Sequence, residues 1–161
     1  MNVKQAQAKD ISCIEKMYKL KVQELAQKGL KQWEEDEITW AAMSQDYDIS
    51  DFYIVYQKDE AVGCFCVVDY DPTYWLNDKP KQALYIHKVM VLNKASASGV
   101  SDYILDVFKE LGKARGMECV KLDVRAHKEK LRSYYERNGF ELVEIVDLKH
   151  GYLTALYRFN L

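Results

Sequence analysis

Leu84-Tyr85-Ile86-His87-Lys88-Val89-Met90-Val91 is the stretch on which the fold turns. It reads as the body of a strand from Ala83 to Leu92 and runs into a small-residue loop, Ser96-Ala97-Ser98-Gly99-Val100-Ser101. Val100, Ile104, Val107, Phe108 and Leu111 then recur at helical spacing, which predicts a helix from about Ser98 to Arg115, ended by Gly116. Beyond it, Val120, Leu122 and Val124 alternate with Cys119, Lys121 and Asp123, the period of a half-buried strand. Strand, helix and strand in succession imply locally parallel pairing.

Working outward, Asn2 to Ala8 alternates weakly and reads as a first, edge strand. Asp10 stands as an N-cap before Ile11, Ile14, Tyr18, Val22 and Leu25, an apolar helix face with Gly29 as its stop. A second helix is expected over Glu37 to Gln45, with Trp40 and Met43 on one side. Phe52 to Tyr56 reads as a strand, Gln57-Lys58-Asp59-Glu60 as a turn, and Ala61 to Asp69 as the antiparallel partner. A polar loop with Pro72 and Pro80 follows, carrying Tyr74 and Trp75. Toward the C-terminus, Lys128 to Arg137 predicts a short helix stopped by Asn138-Gly139. Phe140 to Val146 and Tyr152 to Phe159 are closing strands around Gly151. The order βααβββαβαββ gives a mixed α/β (α+β) class in a single domain, residues 1–161.

The chain's 161 residues, 48% hydrophobic and 30% charged, suit one globular domain rather than a disordered segment. A net charge of −2 gives no electrostatic reason to expect nucleic acid or an anionic membrane as partner. Cys13, Cys64, Cys66 and Cys119 include a C-x-C whose two thiols share a strand face. No C-x-x-C or Cys/His array accompanies them, so no metal is expected and reduced core cysteines are. Met1-Asn2-Val3-Lys4-Gln5 leads into polar sequence without a signal-peptide core, and no apolar run approaches bilayer length. A cytoplasmic location is the expectation.

A strand, a small-residue turn and a helix N-terminus make an anion site, because amides converge there at the positive end of the helix dipole. The same arrangement also occurs as an ordinary connection. The segments Tyr85 to Val91, the loop to Ser101, Lys121-Leu122-Asp123-Val124, and Leu131-Arg132-Ser133-Tyr134-Tyr135-Glu136-Arg137-Asn138-Gly139-Phe140 together resemble the GNAT N-acetyltransferase superfamily. The last of them looks like its closing L-x-x-Y-Y-E-x-x-G-F segment. Gly29-Leu30-Lys31-Gln32-Trp33 resembles the G-x-x-Q-W of a bacterial branch that acetylates small molecules or proteins.

The resemblance implies a central, mostly antiparallel sheet of about seven strands flanked by four helices. It implies acetyl-CoA as cosubstrate, with main-chain groups of Val89, Met90 and Val91 on the pantetheine arm. The amides of Ser96, Ala97, Ser98, Gly99, Val100 and Ser101 would hold the pyrophosphate. Where the family has Q/R-x-x-G-x-G/A, this chain has Ser96-x-x-Gly99-x-Ser101, which removes one long side-chain phosphate donor. That loss corresponds to about tenfold to a hundredfold in cofactor affinity, which Lys128 offsets in part.

The resemblance makes Tyr135 the general acid; its alternative is an aromatic wedge between helix and sheet. His87 occupies the position of the family's glutamate base, with a histidine satisfied within the sheet as the other reading. Trp33, Tyr74 and Trp75 border the acceptor site by resemblance or are simply packed aromatics. The function implied is acetyl transfer to a primary amine of a small molecule or peptide by direct attack. The alternative is a non-catalytic module of the same fold that binds an acyl-CoA or another ligand. A homodimer is compatible with either.

Overall fold

The computed structural model describes all 161 residues, Met1–Leu161. Its strands are β1 (Asn2–Gln5), β2 (Phe52–Gln57), β3 (Glu60–Val68), β4 (Ala83–Val91), β5 (Cys119–Arg125), β6 (Glu141–Asp147) and β7 (Leu153–Asn160). They form one sheet in the order β1-β2-β3-β4-β5-β7-β6. The α-helices are α1 (Ile11–Gln27), α2 (Trp40–Met43), α3 (Val100–Ala114) and α4 (Glu129–Arg137). β4 and β5 pair in parallel, as strand–helix–strand order requires; β1–β2, β2–β3, β5–β7 and β6–β7 are antiparallel. The mixed α/β class with a mostly antiparallel sheet is the fold of this chain. The chain divides into two units: Met1–Val67 with His87–Leu105, and Val68–Ile86 with Asp106–Leu161.

In the first unit, Lys58 and Asp59 both take positive φ, 50° and 63°, the two-residue turn that matches the twist of a hairpin. β2 and β3 therefore pair as a hairpin, with a register shift between Val55 and Tyr56, and Tyr53 stacks on Phe65 at 5.3 Å. Cys64 and Cys66 both lie buried on β3 as free thiols; burial pushes the Cys64 thiol up to about 12. Gly63 permits a close approach. A Cβ there would meet Val100 Cγ1 at 3.2 Å and the Met90 carbonyl at 3.3 Å, so the residue lets the start of α3 sit against β3. The helix expected over Glu37 to Gln45 is two pieces, a 3-10 turn at Glu35–Ile38 and the single-turn α2. Thr39 between them is extended (φ −74°, ψ 152°), and its side chain caps α2 by accepting from Ala42 N at 3.2 Å.

In the second unit, β7 lies between β5 and β6 rather than at the end of the sheet. Its run Thr154-Ala155-Leu156-Tyr157 is fully or nearly buried, whereas β6 exposes Leu142, Val143 and Ile145 at the edge. Trp75, Ala83, Tyr85 and Leu156 form a core cluster, with Tyr74 and Cys119 packed on it. Arg132 Nε donates to the Tyr157 hydroxyl at 2.9 Å, and that hydroxyl donates to Glu136 at 2.7 Å, tying α4 to β7.

Burial raises the phenols of Tyr18, Tyr74, Tyr85 and Tyr135, and the thiols of Cys64 and Cys66. In the unfolded chain these groups titrate near their ordinary values, about 8.5 for thiols and 10 for phenols. A raised folded value means that the stability is fully present below those values and is lost as the pH rises through the folded ones. Melting temperature is therefore expected to hold to about pH 8.5 and fall steeply above pH 10. A flat profile from pH 8 to pH 11 would show that these groups ionise as readily in the folded state.

Candidate active site

On the first unit, β4 carries a local backbone distortion. Lys88 sits in the left-handed region at φ 54°, in the middle of a strand. Such a conformation costs on the order of 1–2 kcal/mol and persists only where neighbours hold it. Here the Tyr18 hydroxyl, from a fully buried side chain on α1, donates to the Lys88 carbonyl at 2.5 Å. Trp33 packs edge-on against Tyr18 at 5.4 Å. On either side of the distortion lie His87, half-buried with its ring 5.9 Å from that of Tyr47, and the segment Val89-Met90-Val91. Met90 is buried, and Val89 and Val91 are half-buried. Pairing of β4 with β5 covers Ala83–Tyr85 and stops before that segment.

The loop beyond β4 forms a 3-10 turn at Asn93–Ala95 and then folds back on itself. Ser96 Oγ donates to the Asn93 carbonyl at 3.0 Å and Ser98 Oγ to the Ala95 carbonyl at 2.7 Å. Both hydroxyls are thus spent within the loop. Gly99 has φ 77°, a conformation that side chains resist, and its carbonyl accepts from Tyr103 N at 3.0 Å. Gly99 therefore caps α3, and the amides of Val100 and Ser101 fall in a first turn that has no intrahelical acceptor. Unpaired first-turn amides of this kind can receive an anion.

On the second unit, Tyr135 lies on α4, 8% exposed, with its ring against Tyr134 at 5.4 Å and Phe140 at 6.0 Å. The positive φ of Gly139 returns the chain so that Phe140 N donates to the Tyr135 carbonyl at 3.1 Å. Burial, and then the charge of Asp123, push the Tyr135 phenol up to about 12, so it is protonated throughout the neutral range. Lys128 is half-buried at the N-cap of α4, its amide donating to Arg125 O and its carbonyl accepting from Arg132 N. Tyr74 is half-buried, 5.8 Å ring to ring from His150. Trp75 is a core residue, 6% exposed, with the Lys121 ammonium over its ring at 4.4 Å.

The structure thus gathers His87, Val89 to Val91, the Ser96–Ser101 loop and Trp33 on the first unit, and Lys128, Tyr135, Tyr74 and Trp75 on the second. Tyr18 and Lys88, which shape this stretch of β4, are residues that sequence reading passes over. Tyr18 reads as one more apolar position of α1. Its signal is the phenol itself, because a tyrosine on a buried helix face needs a partner for its hydroxyl.

A family model described as the acetyltransferase (GNAT) family matches residues 14–140. The uncharacterized N-acetyltransferase YesJ of Bacillus subtilis (strain 168) is 25% identical over 122 residues, which cover 65% of each chain. The chain thus spans a little under two thirds of that relative's length. A GNAT-family acetyltransferase structure from Listeria monocytogenes superposes with a TM-score of 0.76 at 18% identity, covering 99% of this chain and 94% of that one. A GNAT-family acetyltransferase from Elizabethkingia anophelis, solved with acetyl-CoA bound, gives 0.58 at 14% identity over 68% of this chain and 75% of its own. At these identities the structural matches establish the fold.

Proposed function

The chain belongs to the GNAT acetyltransferase family, and from that premise we propose that it transfers the acetyl group of acetyl-CoA to a primary amine by direct attack. The observation that carries this reading is Tyr135, a buried phenol held in its proton-donating form. The backbone around β4 and α3 fits the cosubstrate: a distorted strand segment beyond the β4–β5 pairing, followed by first-turn amides at Val100 and Ser101. Bound acetyl-CoA supplies an activated thioester carbonyl; the chain supplies the rest. Main-chain groups of Val89 to Val91 hold the pantetheine arm and steady the developing oxyanion. The amides of Ser96 to Ser101, with Lys128, hold the pyrophosphate. His87 takes the proton that the attacking amine must lose, and Tyr135 donates one to the departing thiolate.

Calorimetric titration with acetyl-CoA, with ATP as control, followed by thiol release with a panel of amines, tests the reading. Micromolar binding and amine-dependent thiol release are expected; no binding at millimolar cofactor would refute it. The loop offers a sharper check. Because Ser96 and Ser98 spend their hydroxyl donors on loop carbonyls, Ser96→Arg adds a long donor without removing an existing phosphate contact. Coenzyme A binding is expected to tighten about tenfold. An unchanged dissociation constant would mean that residue 96 does not face the pyrophosphate.

A further inference from the structure

Lys88 has more to account for than its backbone. Its ammonium lies 5.8 Å from the centre of the Trp33 ring, and the residue is half-buried. Lys21, Lys31 and Lys94 of the same unit each pair with a glutamate, whereas Lys88 forms no ion pair within 4 Å. Burial pushes its ammonium below the ordinary lysine value, and Glu37 and Asp46 pull it back only from longer range. Two carboxylates of the nearby acidic run are already engaged locally. Glu34 is paired with Lys31, and the Glu37 carboxylate accepts from Glu34 N at 2.7 Å, closing its own turn. A partly desolvated cation beside an aromatic face, with no carboxylate in direct contact, regains charge-assisted hydrogen bonds when an anion arrives.

We propose that Lys88 determines acceptor specificity by binding a carboxylate on the acceptor, so that the amine substrate is an amino acid or a related carboxylated amine rather than a polyamine. This rests on the acetyltransferase reading, since it places the carboxylate one residue from both His87 and Val89 on β4.

The test compares kcat/KM for paired acceptors, each an amino acid and the amine left when its carboxylate is removed, with spermidine as the polyamine. Wild type, Lys88→Gln and Lys88→Arg are measured. Each ratio is taken within one preparation, so any unfolded fraction cancels. Wild type is expected to favour the carboxylated partner by about tenfold to a hundredfold. Lys88→Gln should bring the ratio close to one, and Lys88→Arg should keep most of it. Equal ratios in wild type and Lys88→Gln, a wild-type preference for spermidine, or acetylation of Lys88 itself located by peptide mass mapping would each overturn the assignment while leaving acetyl transfer standing. No acetyl-CoA binding and no thiol release with any amine would overturn the acetyltransferase reading, and this inference with it.

Discussion

Tyr135→Phe is expected to lower turnover by about 10²–10⁴-fold, the usual range for removing a positioned general acid, with the acetyl-CoA dissociation constant nearly unchanged. The substitution deletes one oxygen and keeps the ring, so the contacts with Tyr134 and Phe140 survive and the melting temperature should move little. The pH profile separates this role from a structural one. An acid whose phenol is raised to about 12 stays protonated through the alkaline range in which the fold is stable. The wild-type rate should therefore show no alkaline limb between pH 7 and pH 9. A thiolate in water is a weaker base than so poor an acid's phenolate, so complete proton transfer is uphill unless the thiolate is also desolvated. Burial raises both partners together, as the thiol of Cys64 shows elsewhere in the chain. Equal rates for Tyr135→Phe and wild type would dismiss Tyr135 as the acid and leave it as a packing residue of α4.

What the sequence made legible was whatever local periodicity and turn chemistry control. The strand at Ala83, the amphipathic helix from Val100 and the Gly139 stop after α4 all fall within a residue or two of their predicted places. Thr39 shows where that reading fails. A threonine inside a helical pattern is a weak signal, yet its side chain caps a new helix and splits the predicted one. The position of β7 inside the sheet was available in principle, because Thr154-Ala155-Leu156-Tyr157 lacks the alternation of a half-buried strand. Lys88 was not available at all. Its left-handed backbone depends on Tyr18, 70 residues earlier in the chain, and lysine carries no local preference that would announce it.

The loop between β3 and β4, which reads as polar connection, conceals a partly buried ion pair, and Asp78→Ala is expected to have the largest effect on stability. Asp78 Oδ2 accepts from the Tyr85 hydroxyl at 2.5 Å and from Lys121 Nζ at 2.6 Å, while that ammonium covers the Trp75 ring. Around it the loop is a chain of turns: Asp71 Oδ1 accepts from Thr73 N and Tyr74 N, Trp75 N donates to Asp71 O, and Asp78 N donates to Trp75 O. Removing the carboxylate strands a largely buried ammonium and a buried hydroxyl together. Breaking such a pair costs about 3–5 kcal/mol in a dry interior, and residual exposure of Asp78 and Lys121 reduces this to about 2–4 kcal/mol. For a domain of this size that is a fall in melting temperature of roughly 4–16 °C. Lys121→Met should cost less, because Asp78 keeps the Tyr85 hydrogen bond and the methionine still covers Trp75. The double variant should then be more stable than Asp78→Ala alone, since no charge is left stranded. Strict additivity of the two substitutions would mean that Asp78 and Lys121 are solvated independently, and that apolar packing of Trp75 against Ala83 and Leu156 alone fixes the loop.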